Sequence, residues 1–396
     1  MEIAAMDAQV NRRALLGGVV AGCVGKVLFA SPKESGAVAT SSQPAGIGPK
    51  YDGRAHTLGL FDHTSREFAC RATTKDELHA WQAAFRPRLR ETLGIANMER
   101  EVRFEYRAER AERIAKDGYT QEKWYLWTEP DVPLPVWVLI PDKPVAKPYR
   151  LVITPHGHND PEIYIGQAKD DSARAAIAEG QRDITVQAVR QGYLAVLPTS
   201  RGFGETKRGD DLKYSPMQSC RTELMHQMLF GRTVIGCRVW DISRIIDWIG
   251  REHEIDSRCI AITGNSGGGT TSVFAPACEE RITVAVPSCY FCTFRDSIGS
   301  IIHCECNYVP GLLRLAEMWD VAGLIASRPF RAIAGRTDPI FPLDAVRASY
   351  ERLRQIYRAA GVEDRCELYV GEGAHRYYSD GSWPFIRQWF ERAAKA

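Results

Sequence analysis

The 396-residue chain lacks an excess of either charge. It carries 51 Lys+Arg against 49 Asp+Glu, a net +2. Proteins that bind nucleic acid as their main task show a basic surplus or stripe, so that class is excluded. No apolar run reaches the ~20 residues that a confident membrane span needs. Internal repeats are absent, and so is the Lys-Ser/Thr that a phosphate-cradling loop requires after its glycines. Dominant disorder is excluded as well, because 44% hydrophobic and 25% charged residues can build and solvate a sizeable core. The eleven cysteines show no disulfide-scaffold rhythm, and the chain is far larger than a stapled mini-protein. Cys259 and Cys289 sit in apolar runs and read as buried thiols. A paired-thiolate zinc site wants two close pairs at ligand spacing. Cys289/Cys292 and Cys304/Cys306 come nearest, with packing as the favoured reading.

The N-terminus reads as an address. Arg12-Arg13 precede a mildly apolar, Gly/Ala-rich stretch that ends near Ala30. This is the pattern of a twin-arginine export signal over residues 1–30, followed by a Ser/Ala/Gly/Pro-rich linker over 31–50. Ala37-Val38-Ala39 offers a small-residue cleavage site, and Val20-Ala21-Gly22-Cys23 resembles a lipoprotein box that would anchor the chain at Cys23. The expected location is periplasmic or secreted. Twin-arginine export carries folded proteins, so the remaining cysteines are not forced into disulfides.

Residues 51–396 read as one domain. In 51–149, residues 73–93 have helical spacing, with Leu78, Trp81, Phe85 and Leu89 three or four apart. Extended segments at 102–108, 124–127 and 136–140 follow and suggest an antiparallel start to a sheet. From Arg150 the pattern becomes strand, loop, helix, repeated. Strands are expected at 151–154, 194–197, 259–263, 283–286, 330–333 and 366–370. The clearest helix is 238–255, whose Val239, Ile242, Ile245, Ile246 and Ile249 form one stripe. An amphipathic helix over 383–396 closes the chain. The fold class is α/β: a mostly parallel sheet with antiparallel N-terminal strands and helices on both faces.

One motif carries chemistry. The strand 259–263 runs into Gly264-Asn265-Ser266-Gly267-Gly268, a G-x-S-x-G turn before a helix. The turn is sharp, so side chains two positions from the serine would collide. A nucleophilic serine needs a base, and the base needs a carboxylate. In this strand–turn–helix arrangement the order is Ser, then acid, then His. Only His303 and His375 follow Ser266. His303 would leave the later strands unused, which selects His375 in Gly371-Glu372-Gly373-Ala374-His375. Asp338, in the loop after strand 330–333, is the expected acid. Its rival Asp344 lies in the next helix, and Glu372 is too near His375 along the chain. The oxyanion needs two N–H donors: Gly267, and His158 in the Gly-containing loop His156-Gly157-His158 after strand 151–154. The rival reading of His156 and His158 as metal ligands is weak without an acidic cluster. Residues 303–311 are expected to wall the acyl pocket, with Asn307 and Tyr308 touching substrate. A Cys304–Cys306 disulfide is disfavoured, because residues two apart rarely reach relaxed geometry.

From Arg150 onward the chain resembles an α/β-hydrolase of the acetyl xylan esterase and dienelactone-hydrolase-related branch. His156-Gly157-His158, Arg201-Gly202-Phe203-Gly204-Glu205, the elbow, and Cys304-Glu305-Cys306-Asn307-Tyr308-Val309-Pro310-Gly311-Leu312-Leu313 carry the resemblance. So do Ile325-Ala326-Ser327-Arg328-Pro329 and Asp338-Pro339-Ile340-Phe341-Pro342. The resemblance implies a Ser-His-Asp ester hydrolase needing no metal or organic cofactor, with a small-molecule or carbohydrate ester as its substrate. Dienelactone hydrolases use a cysteine where this chain has Ser266, which favours a plain carboxylic ester. Arg201 and Glu205 are expected to pair with each other and fix their loop. Two other readings stay open: a prolyl-oligopeptidase-like peptidase, for which too few residues precede the catalytic part to build a propeller, and a silent binding protein of the same fold.

Overall fold

A computed structural model describes residues 51–103, 107–209 and 219–395. The expected export signal, linker and lipid anchor at Cys23 lie outside the described residues. Nine strands among the described residues form one sheet in the order β1-β2-β3-β5-β4-β6-β7-β8-β9. They are β1 Ala108–Lys116, β2 Tyr119–Glu129, β3 Val132–Pro141, β4 Tyr149–Ile153, β5 Leu194–Pro198, β6 Ile255–Asn265, β7 Val284–Ser288, β8 Phe330–Gly335 and β9 Cys366–Gly371. β1, β2 and β3 run antiparallel to their neighbours, and the strands from β4 to β9 are parallel. Residues Asp52–Ala396 make one compact unit.

Alternate residues of each central strand feed two separate cores, one on each face. On β6, Ile260 and Ile262 enter one core, while Cys259 and Ala261 enter the other. On β5 the split is Leu194 and Val196 against Ala195 and Leu197. Period-two side-chain direction in a strand covered on both sides produces this division.

Helices cover both faces: α1 Lys75–Thr92, α2 Ser219–Leu229, α3 Val234–Glu252, α4 Gly267–Cys278, α5 Leu343–Ala359 and α6 Ser379–Lys395. α1 starts with a capping box in which the Thr74 hydroxyl accepts the Glu77 N–H and the Glu77 carboxylate accepts the Thr74 N–H. The expected stripe of α3 is buried throughout, from Val239 to Ile249, and each side chain contributes about 2 kcal/mol by leaving water. α6 buries Phe385, Ile386, Trp389 and Phe390 on the opposite face. None of the described helices is long and apolar enough to cross a membrane.

Two sequence expectations need correction. The segment expected to be extended from 102 instead follows a short helix, Ile95–Glu101, and β1 begins only at Ala108; residues 104–106 are not described. β1 itself, Ala-Glu-Arg-Ala-Glu-Arg-Ile-Ala-Lys, escaped the sequence reading. It is an exposed edge strand whose charges face water, and such charges protect an edge from pairing with other chains.

The second correction concerns Arg201 and Glu205, which do not pair. Arg201 is buried and forks onto Asp241 (Nε–Oδ2 2.9 Å, Nη2–Oδ1 2.7 Å). It also reaches Glu129 (2.5 Å), which in turn holds Arg232 (2.8 Å). Glu205 instead bonds Lys123 and the Tyr125 hydroxyl. Burial decides the matter: a guanidinium with almost no water needs fixed carboxylates on rigid elements. α3 and β2 supply them. Removing one partner strands the other charge, so Asp241→Ala is expected to lower stability by about 3–5 kcal/mol in urea unfolding. A loss near zero would mean that this network is not structural.

Candidate active site

β6 ends at Asn265 and α4 begins at Gly267, which leaves Ser266 alone at the corner. Its backbone is at φ 59°, ψ −117°, a region that a non-glycine residue enters only when its surroundings enforce it. The enforcement is visible. Ser266 N–H donates to Ser288 O (2.9 Å), and Thr270 N–H returns to Ser266 O (2.9 Å). Gly264 and Gly268 are demanded by contact. A Cβ on either would lie 2.4 or 2.1 Å from Pro155 O. The small residues of the motif thus let the loop after β4 press against the corner.

That loop carries the expected oxyanion donors' second member. A Cβ on Gly157 would lie 3.4 Å from Ser266 Cβ, and one on Gly267 would meet the His158 ring at 3.1 Å. The loop is pinned from behind. Gly157 N–H donates to the Tyr164 hydroxyl (2.8 Å). Burial pulls the His156 imidazolium down to about 3, so the ring is neutral. Its Nδ1 donates to Gly157 O (2.7 Å) and its Nε2 accepts from Ser200 N–H (2.8 Å). Both nitrogens are engaged, so His156 has no lone pair for a metal, and the His156/His158 ligand pair is not formed. Among the described residues, neither His158 N–H nor Gly267 N–H donates to a main-chain carbonyl, and the Gly267 N–H is the first of α4, where no intrahelical acceptor exists.

Asp338 and His375, the expected acid and base, come together across two loops. His375 Nδ1 lies 2.8 Å from Asp338 Oδ2. The other Asp338 oxygen accepts from Ile340 N–H (2.9 Å) and Phe341 N–H (3.3 Å). Asp338 is only 5% exposed, so its charge is held by these donors rather than by water. Thr337 N–H to Gly373 O (2.9 Å) and Arg336 N–H to Gly371 O (2.9 Å) tie the loops into one unit. Ser288, whose carbonyl holds Ser266, also donates from Oγ to Arg376 O (3.4 Å). Ser266 and His375 are therefore linked through a single strand end at the carboxyl edge of the parallel sheet, the usual place for a site in this topology.

Two contributors escaped the sequence reading. Phe341 stacks on the His375 ring (centroids 5.8 Å apart). Cys289, at φ 49°, donates its thiol to Arg376 O (3.2 Å). Burial pushes that thiol above its ordinary range, so it stays protonated beneath the pair. Only the Asp-Pro-x-Phe spacing could have pointed to Phe341, and nothing in the sequence pointed to Cys289.

The 303–308 segment lies beside this site. His303 meets His158 (6.5 Å) and Phe341 (6.0 Å) edge to face. Asn307 is buried, accepts the Thr270 hydroxyl (2.9 Å) and turns its amide to His303 Nδ1 (3.1 Å). Tyr308 is 41% exposed, and its hydroxyl donates to Ile298 O (3.1 Å).

Residues 58–352 match the Abhydrolase family. YtaP of Bacillus subtilis (strain 168), provisionally named a hydrolase, is 25% identical over 177 residues. The match spans 44% of this chain and 56% of that protein, little more than half its length. Among solved structures, a Bacteroides fragilis NCTC 9343 protein provisionally named an acetyl xylan esterase superposes with a TM-score of 0.67 at 16% identity. It covers 85% of this chain and 84% of its own. A glucuronoyl esterase from Solibacter usitatus gives 0.58 at 14% identity, over 84% and 98%. These likenesses show the α/β-hydrolase fold, and with a family match over most of the sequence, the chain belongs to the Abhydrolase family.

Proposed function

We propose that the protein is a serine carboxylic-ester hydrolase acting on acyl esters of carbohydrates. The observation that carries this reading is the buried 2.8 Å Asp338–His375 pair on loops tied to the strained Ser266 corner. His375 Nδ1 is committed to Asp338, which leaves Nε2 to take the Ser266 proton as Oγ attacks the ester carbonyl. The oxyanion that forms is received by the N–H groups of Gly267, at the start of α4, and of His158, in the loop after β4. His375 then protonates the leaving alcohol, and water repeats the sequence on the acyl-enzyme. Asp338 fixes the imidazole tautomer and stabilises the imidazolium. The carbohydrate class is supported by the names of the structural neighbours. A peptidase of the propeller-bearing kind is disfavoured, because β1, β2 and β3 extend the catalytic sheet itself.

Parallel assays of acetylated xylose, methyl glucuronate and 4-nitrophenyl esters of rising acyl length test this reading. Turnover of acetyl sugars is expected, and inertness toward every carbohydrate ester would sink the substrate class. In the same panel Asn307→Ala and Tyr308→Ala should shift the acetyl-to-butyryl ratio of kcat/KM by about 1–3 kcal/mol. Equal effects on all acyl lengths would leave these residues with a packing role only. We also propose that residues 1–30 are a twin-arginine export signal. Replacing Arg12 and Arg13 by Lys should hold folded, active protein in the cytoplasm, and unchanged export would remove the twin-arginine reading.

A further inference from the structure

His158 has a second allegiance. Its Nε2 lies 3.2 Å from Cys306 Sγ, and Cys304 Sγ lies 3.2 Å from the same sulfur. With Cys220 Sγ, these four atoms all lie within 4.8 Å of one another. They arrive from three distant segments: the loop after β4, helix α2, and the turn Glu305–Asn307 with the Cys304 that precedes it. We propose that His158, Cys220, Cys304 and Cys306 form a tetrahedral zinc site that holds the His158 loop in place. This goes beyond the cofactor-free enzyme that the family resemblance implies.

Zinc–sulfur bonds of ~2.3 Å and a zinc–nitrogen bond of ~2.0–2.1 Å place tetrahedral ligands about 3.5–3.8 Å apart. The four atoms lie within 4.8 Å of one another, and the 3.2 Å contacts to Cys306 Sγ would open by about half an ångström around the ion. Three thiolates and one imidazole are a soft donor set that suits zinc over calcium or magnesium. Four protein ligands close the coordination sphere, so the ion is structural and does not activate water.

Charge makes the stronger argument. Arg238 of α3 is 4% exposed, yet its guanidinium faces sulfur: Cys306 Sγ at 3.7 Å and Cys220 Sγ at 4.0 Å. Among the described residues its Nε has no hydrogen-bond partner. A buried cation needs a counter-charge. Three thiolates around one divalent zinc carry a net single negative charge, which Arg238 neutralises. Asn307 adds an N–H to Cys306 Sγ at 3.5 Å, completing an outer shell of donors to the metal-bound sulfur. On binding, each thiol still protonated gives its proton to solvent as its zinc–sulfur bond forms.

The consequence for catalysis rests on the ester-hydrolase reading. His158 would be a ligand through its ring and an oxyanion donor through its main chain, so the metal would act as a positioning device for the oxyanion hole. Cys304, Cys306 and His303 belong to one short segment, so the same ion would also fix the wall beside His375.

The test uses the full chain without a polyhistidine tag, purified under reducing conditions and free of chelator. Elemental analysis should find one zinc per chain. Replacement by cobalt should give a sulfur-to-cobalt charge-transfer band and the visible bands of a tetrahedral ion. Cys220→Ser and Cys304→Ser should lose most of the metal and the band, with circular dichroism reporting whether they fold. Stripping zinc should lower kcat by about 10- to 100-fold with little change in KM, less than the loss of a whole oxyanion donor. The unsubstituted chain decides the matter even if both variants unfold. Failure to hold stoichiometric zinc or to develop the cobalt band overturns the proposal, as does a metal-free protein with Cys220 joined to Cys304 or Cys306 by a disulfide. Zinc bound at this site in a protein inert toward all esters would uphold the metal site and remove the esterase reading instead.

Discussion

Ser266→Ala is expected to lower kcat on 4-nitrophenyl acetate by about 10⁶-fold, with His375→Ala close behind and the double variant barely slower than either. The reason is that the two groups make one nucleophile. Without the imidazole the hydroxyl keeps its proton at neutral pH. Without the hydroxyl the imidazole has nothing to activate. What survives is the oxyanion hole and binding, which do not depend on either side chain. Alanine keeps the Cβ of Ser266, and the corner is enforced by main-chain bonds to Ser288 and Thr270, so the melting temperature should hardly move. His375→Ala loses the stack on Phe341 and the bond to Asp338 Oδ2, and should cost about 1–3 kcal/mol. Losses that multiply in the double variant would show that the residues act separately.

Asp338→Asn is the second large effect, about 10⁴-fold in kcat with the fold intact. The asparagine oxygen can keep the Ile340 and Phe341 N–H groups, which fixes its amide nitrogen toward His375 Nδ1. An amide N–H there needs Nδ1 as an acceptor. The ring proton then moves to Nε2, the atom that must receive the serine proton. The imidazole is held in the wrong tautomer while every neighbour stays in place. Single-turnover kinetics should show slow acylation at near-normal KM. A loss under tenfold would mean that Asp338 only shapes its loop.

Much of the candidate site's geometry was legible because its signals are local. The glycines at 264 and 268 announce a corner that no Cβ can share, and the buried strand before them fixes its context. Chain order then leaves His375 as the candidate base, and its candidate partner Asp338, which the fold does bring to it, follows from its place after β8. What stayed hidden depends on long-range proximity. Arg201 has an acidic residue four positions away, yet it pairs with Asp241 and Glu129 because burial demands rigid carboxylates. β1 is too charged to read as a strand, since an edge needs no apolar face. Cys304 and Cys306 stood out as a pair, but their partners are Cys220, more than 80 residues earlier, and His158. Only the folded chain brings these together.

The central claim is that Ser266 is an activated nucleophile. Intact-mass analysis after treatment with a fluorophosphonate probe tests it most directly. One adduct per chain is expected, mapped to Ser266, formed rapidly in the unsubstituted protein and lost in both Ser266→Ala and His375→Ala. An unmodified protein, or an adduct on any other residue, would contradict it.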